Sequence, residues 1–144
     1  MIAVDTNILV YAHRTDVVWH EKAVACLVPL LNGQVAWAIA WPCVHEFLSV
    51  VTNQRVYDFP TPLKLAFDQL REWSQVAGHR FIGETSEHFD VLERLSIPAQ
   101  IKSGMIHDAR IAAICLQHGV TELWTADRDF SRFPRLKTRN PLVG

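Results

Sequence analysis

The chain has 144 residues, 49% of them apolar, enough for one compact domain with a real core and too few for two. A formal net charge of −1 and a pI near 6.6 exclude a protein held on nucleic acid by bulk charge, so any contact with a polyanion must be local. Cys26, Cys43 and Cys115 are far apart, odd in number and set in apolar stretches, which reads as buried thiols and excludes a disulfide framework or a cysteine zinc knuckle. The opening MIAVDTNILVYAHR carries Asp5 inside its apolar run and lacks a basic leader, and no apolar stretch approaches the roughly 20 residues needed to span a bilayer. A soluble cytoplasmic protein without a membrane partner is expected.

In chain order, residues 2–4 are apolar and suited to a buried strand ending at Asp5, where Asp-Thr-Asn combines turn and helix-capping chemistry. Residues 19–31 place Ala23, Leu27, Leu30 and Leu31 at helical spacing, and Asn32-Gly33 supplies the stop. A second strand is expected over 34–40, followed by a helix over 42–52 that opens on Pro42 and carries Glu46 in its second turn. Beyond Pro60 and Pro62, residues 63–76 form an amphipathic helix with Leu63, Ala66, Phe67, Leu70 and Trp73 on one face, ended by Gly78. A short strand over 80–82, a helix over 86–95, a loop over 98–104 and a helix over 107–118 follow, with Asp108 in the last helix's first turn and Gly119 at its end. Residues 120–125 read as a strand running into Ala-Asp-Arg-Asp-Phe, and 136–138 as an edge strand. Strands separated by helices predict an α/β domain with a mainly parallel sheet, whose ligands bind beyond the strands' carboxyl ends.

Four carboxylates stand at such positions: Asp5 after one strand, Glu46 on a helix that follows another, Asp108 at a helix start and Asp127 after the strand over 120–125. Hard divalent cations such as Mg²⁺ or Mn²⁺ take carboxylate and water oxygens, and an ion so held lowers the pKa of bound water and polarises a phosphoryl oxygen. On this reading Asp5 and Asp108 hold the principal ion, Asp127 completes or extends the site, and Glu46 positions or deprotonates the attacking water or ligates a second ion. Taken singly, Asp5 is equally a helix N-cap, Asp108 a favourable first-turn charge, Asp127 a turn residue and Glu46 a solvated side chain.

The segments VDTNILVYA, HEFLSVVTN, IHDARIAAICLQHG and LWTADRDFSRFPRLKTRNPL resemble, across nearly the whole chain, a PIN-domain ribonuclease of the VapC toxin type. The resemblance implies a three-layer α/β/α PIN domain over residues 1–144. It also implies a metal-dependent endoribonuclease, the toxic component of a toxin–antitoxin pair, which uses Mg²⁺ or Mn²⁺ and a metal-activated water and leaves 5′-phosphate and 3′-hydroxyl ends. Asp5, Glu46 and Asp108 take the first three acidic positions; the fourth is Asp127 or Asp129. Thr6, Asn7 and Thr125 flank the quartet as residues that orient carboxylates by hydrogen bonds or as ordinary caps and turns. A VapB-like antitoxin filling the acidic groove and a homodimer are the implied partners, the apolar face over 63–73 being one option for the dimer.

Other chemistry fares worse. His45-Glu46 lacks the second histidine of an H-E-x-x-H zinc pair, and His13 and His107 lie near the acidic motifs without a defined role. No nucleotide-cofactor loop occurs, so no nucleotide cofactor is expected. A phosphomonoesterase with Asp5 as nucleophile is disfavoured by Asn at position 7, and a catalytically inactive PIN-fold scaffold is the other alternative. From Trp124 onward, Arg128, Arg132, Arg135, Lys137 and Arg139 stand against Asp127 and Asp129, either a phosphate-contacting patch or a charged guard on an edge strand.

Overall fold

The computed structural model describes residues 1–143; Gly144, the last residue of the expected domain, lies outside them. Five strands, β1 (Ile2–Val4), β2 (Trp37–Ala40), β3 (His79–Ile82), β4 (Glu122–Trp124) and β5 (Thr138–Arg139), form one sheet in the order β3-β2-β1-β4-β5, every pair parallel. The expectation of a mainly parallel sheet is met in full among these strands. Six α-helices accompany them: α1 (Thr6–His13), α2 (His20–Leu31), α3 (Trp41–Val51), α4 (Leu63–Ser74), α5 (His88–Ser96) and α6 (Ile106–Gln117). The result is a three-layer α/β/α sandwich.

The sheet's order explains where a site can form. From β1 the chain steps outward through α1 and α2 to β2, then through α3 and α4 to β3; it returns through α5 and α6 to β4 on the other side of β1. Parallel crossovers are right-handed, so reversing the direction of travel moves the connecting helices to the opposite face. Beyond the ends of β1 and β4 the outgoing and returning connections part, leaving a crevice at the carboxyl edge of the sheet.

The central strands β1, β2 and β4 are largely buried because helices cover both faces. Trp37, Ala38, Ile39 and Ala40 are all buried in β2, and α6 buries Ile111, Ala112, Ala113, Ile114 and Cys115 in sequence. Phe47 on α3 meets Trp73 of α4 edge to face, with ring centroids 5.6 Å apart. Gly33, Gly78 and Gly119 each adopt positive φ at or just past a helix end, as their placement predicts; at Gly78 an added Cβ would also come within 3.2 Å of the Val35 carbonyl oxygen.

The structure corrects four readings. α1 forms a full helix where the sequence suggests only a turn and a cap. β2 begins at Trp37, since residues 34–36 enter the sheet as an irregular approach. The last strand is β5 at Thr138–Arg139, because Leu136 turns its side chain into the core one step earlier. On α4 the apolar stripe divides: Ala66, Leu70 and Trp73 are buried, whereas Leu63 and Phe67 remain exposed.

Candidate metal-binding active site

Asp5 joins β1 to α1 and serves both. Its Oδ1 accepts from the Thr6 backbone N–H at 2.8 Å, capping the helix, and from the Cys43 thiol at 3.6 Å. Its Oδ2 accepts from the Thr125 hydroxyl at 2.7 Å and the Asn7 amide at 3.5 Å. The residue is 5% exposed, and this burial pushes its carboxyl upward against the lowering effect of the Thr125, Thr6 and Cys43 hydrogen bonds, with the charge of Asp127 adding to the rise.

Thr125 ties the two central strand ends together. While donating to Asp5, its hydroxyl oxygen accepts from the Asp127 backbone N–H at 3.0 Å and from Asn7 Nδ2 at 3.4 Å. Asn7 Oδ1 in turn accepts from the Ala126 N–H at 3.1 Å. The chain leaving β4 is thereby stitched to the chain leaving β1, and Asp127 is set next to Asp5. The Thr6 hydroxyl is buried and makes no hydrogen bond to these carboxylates; its backbone N–H is what meets Asp5.

The remaining acids come from three further elements. Asp108 lies in the first turn of α6 and Glu46 in the second turn of α3. Asp127 caps a 3₁₀ turn, Arg128–Arg132, accepting from the Asp129 N–H at 2.8 Å. Carboxylate oxygens of Asp108, Asp127 and Asp129 lie within 4.8 Å of one another. Asp5 stands one step behind this group with its lone pairs partly engaged, and Asp129, one of two alternatives in the sequence, is in the group beside Asp127.

Burial and mutual repulsion hold these carboxyls above their ordinary range. Asp108 is pushed up to about 6, first by partial desolvation and then by Asp127, Asp5 and Asp129, with Arg132 opposing. Glu46 still reaches solvent, yet its carboxyl is raised by neighbouring protein mass, then by Asp5 and Asp108; His107 opposes and Asp127 adds. Converging oxygen donors with an excess of negative charge fit a hard divalent cation, and none of the three converging atoms is the sulfur or imidazole nitrogen that zinc favours.

The other sequence candidates separate cleanly. His13 is fixed structurally, its ring nitrogens 3.0 Å from Gln69 Oε1 and 3.0 Å from Thr61 Oγ1. His107 is exposed beside Glu46. Lys137 pairs with Glu122 at 3.2 Å and Arg139 lies over the Trp124 ring at 5.8 Å, so both belong to the sheet edge, while Arg128 and Arg132 sit on the turn that carries Asp129. Sequence reasoning missed Cys43 as a neighbour of Asp5 and Arg94 as a neighbour of this region. Neither has a local signal, since each contact depends on how α3 and α5 dock.

The fold is thus a three-layer α/β/α sandwich that carries a cluster of carboxylates where its crossovers part. Residues 2–136 match the PIN domain family, and the chain belongs to that family. It is 33% identical over 144 residues to Ribonuclease VapC43 of Mycobacterium tuberculosis, covering 100% of this chain and 97% of that one. Ribonuclease VapC33 of the same organism is 30% identical over 142 residues, covering 99% of each. Among solved structures, VapBC2 from Rickettsia felis, bound to a DNA fragment from its promoter, superposes with a TM-score of 0.70 at 19% identity, covering 96% of this chain and 98% of its counterpart.

Proposed function

We propose that this chain is a divalent-metal-dependent endoribonuclease, the toxic half of a toxin–antitoxin pair, formed by a single PIN domain over residues 1–144 and acting in the cytoplasm. The observation that carries the reading is the meeting of carboxylates from four separate elements at the edge where the sheet's crossovers part, three of their oxygens within 4.8 Å. Family membership and the ribonuclease names of the relatives support RNA as the substrate. No helix among the described residues is long and apolar enough to cross a membrane.

Asp108 and Asp127 would hold the ion, Mg²⁺ or Mn²⁺, with Asp129 within reach and Asp5 closing the site from behind. Such an ion, when bound, supplies a water of lowered pKa and polarises the phosphoryl oxygen. Thr125 and Asn7 keep Asp5 and the chain at Asp127 in register, so the donor set is organised before any ligand arrives. Glu46, exposed near Asp5 and Asp108, would take the proton of an attacking water. An antitoxin with basic side chains would close the same acidic crevice. Leu63 and Phe67, apolar and exposed on α4, are available to a homodimer.

Purified protein should cut single-stranded or looped RNA in Mg²⁺ or Mn²⁺, stop in chelator, and lose cutting in Asp5→Asn and Asp108→Asn. Undiminished cutting by either variant overturns the site. Hydrolysis of small phosphate esters with RNA left intact would favour a phosphomonoesterase, and a folded protein without affinity for divalent ions would favour a scaffold.

A further inference from the structure

Beside the acidic crevice lies a second cleft of about 270 Å³, lined by Arg94, Leu95, Pro98, Ala99, Arg132 and Arg135 together with Phe133 and Pro134. It is assembled from two distant parts of the chain. α5 and the loop after it supply Arg94 to Ala99, and the 3₁₀ turn with its exit supplies Arg132 to Arg135. Leu95 and Phe133 are buried and form its floor, and the three arginines are exposed.

The charges at the rim are poorly neutralised. Among the described residues Arg94 donates only to the Asp90 backbone carbonyl, at 3.3 Å, and Arg132 meets the Asp129 carboxylate loosely, at 4.0 Å. Arg135 makes no salt bridge or side-chain hydrogen bond among them. Three cations line one cleft with a single loosely held carboxylate, Asp129, between them, and an anion shared by them relieves the unbalanced charge. Arg132 also fixes the cleft's position, because it faces Asp129 on one side. Whatever anion fills the cleft is therefore a near neighbour of one reacting at the carboxylates.

We infer that this three-arginine cleft is a phosphate subsite, holding a backbone phosphodiester of the RNA strand adjacent to the one cut at the acidic crevice. The inference rests on the nuclease reading above and adds a second anchoring point to it. A carboxylate-lined centre repels a polyanion, so a strand must be held by cations outside that centre. Guanidinium forks match phosphate oxygens with two parallel hydrogen bonds, a geometry that lysine lacks. Backbone phosphates carry no base identity, so the subsite sets register and affinity and leaves sequence preference to other contacts.

The test uses the full chain and Arg94→Gln, Arg135→Gln and their double variant, with Lys64→Gln on α4 as a remote control. Binding of a fluorescent single-stranded RNA is followed by anisotropy in chelator across a salt series, and cutting of the same RNA is measured in Mn²⁺. The double variant should bind about tenfold more weakly or worse, with its salt slope flatter by roughly 0.7 for each phosphate the protein no longer neutralises. In cutting, KM should rise while kcat is largely kept, and Arg135→Lys should recover part of the affinity. Thermal melts identify any variant that has unfolded. A folded double variant with wild-type affinity, salt slope and KM overturns the subsite while leaving the nuclease intact. A wild-type protein that neither binds nor cuts RNA overturns the nuclease reading, and the subsite with it.

Discussion

Neutralising Asp108 should make the metal-free protein more stable while abolishing its activity. Asp108 titrates at about 6 in the folded chain against an ordinary 3.8, so the folded state binds its proton more tightly than the unfolded state does. Its contribution favours folding fully below 3.8, falls away as pH rises towards 6, and above that stands as a cost carried by the ionised cluster. A shift of this size corresponds to up to about 3 kcal/mol; with the side chain partly open to water, screening reduces this to about 1–2 kcal/mol. Asp108→Asn removes the charge and keeps the shape. In chelator at pH 8 its melting temperature should therefore exceed the wild type's by roughly 3–8 °C, with the gap shrinking towards zero at pH 4. Adding Mn²⁺ should reverse the order, because binding to the folded state stabilises the wild type in proportion to its affinity. Calorimetric melts at both pH values, with and without metal, decide the matter. An Asp108→Asn protein less stable than wild type in chelator at pH 8 would refute the claim that burial and neighbouring carboxylates penalise the ionised Asp108.

Thr125→Val removes the 2.7 Å donor to Asp5 and the acceptor of the Asp127 N–H; urea unfolding should show a loss of about 2–3 kcal/mol, with RNA cutting reduced as well. Arg14, nearly buried, donates to Asp16 and to the Phe59 carbonyl and lies 3.9 Å over the Tyr57 ring; Arg14→Gln should cost about 2 kcal/mol in the same melt and leave cutting per folded molecule unchanged. Asp127→Asn and Asp129→Asn should both weaken Mn²⁺ binding in calorimetric titration, Asp127 more strongly, because it adjoins Asp5 and holds the turn that positions Asp129. Phe47→Ala, emptying a fully buried site against His13 and Trp73, should cost about 3–5 kcal/mol.

The parts of the fold legible in the sequence are those whose signal is local. Helices α2, α4 and α6 announce themselves by apolar spacing and by a glycine of positive φ at or just past the end. α1 does not, because Ile8, Leu9 and Val10 run consecutively and resemble a strand; what makes the segment a helix is the Asp5 cap at one end and cover from α2 and α3. The start of β2 and the position of β5 are set by pairing across the sheet, with Trp37 opposite Ile2 and Thr138 opposite Leu123, and no window of sequence contains both partners. The division of the α4 stripe has the same origin. Periodicity gives the width of an apolar face, but the neighbouring element decides how much of it is covered.

For the site, the local and the functional readings of the acids turn out to describe one arrangement. Asp5 caps α1, Asp127 caps the 3₁₀ turn and Asp108 stands in the first turn of α6, as capping and helix-end chemistry alone would place them. Asp5 and Asp127 each cap a helical turn where a strand ends, and in a parallel sheet those junctions share one edge, whereas Asp108 comes to it on a helix that follows α5. The rule that positions an acid for its own helix therefore also delivers it to the edge where other acids arrive. This is why a single aspartate in the sequence says little and the ordered set says more. The contribution of the tertiary fold lies in the distances: it brings Asp129 into the group with Asp108 and Asp127, sets Asp5 behind them under Thr125, and carries Arg94 on α5 to within reach of the same turn. Charge in the acidic group is compensated only in part by Arg132 and His107, so the folded chain retains a local excess of negative charge that an external cation relieves.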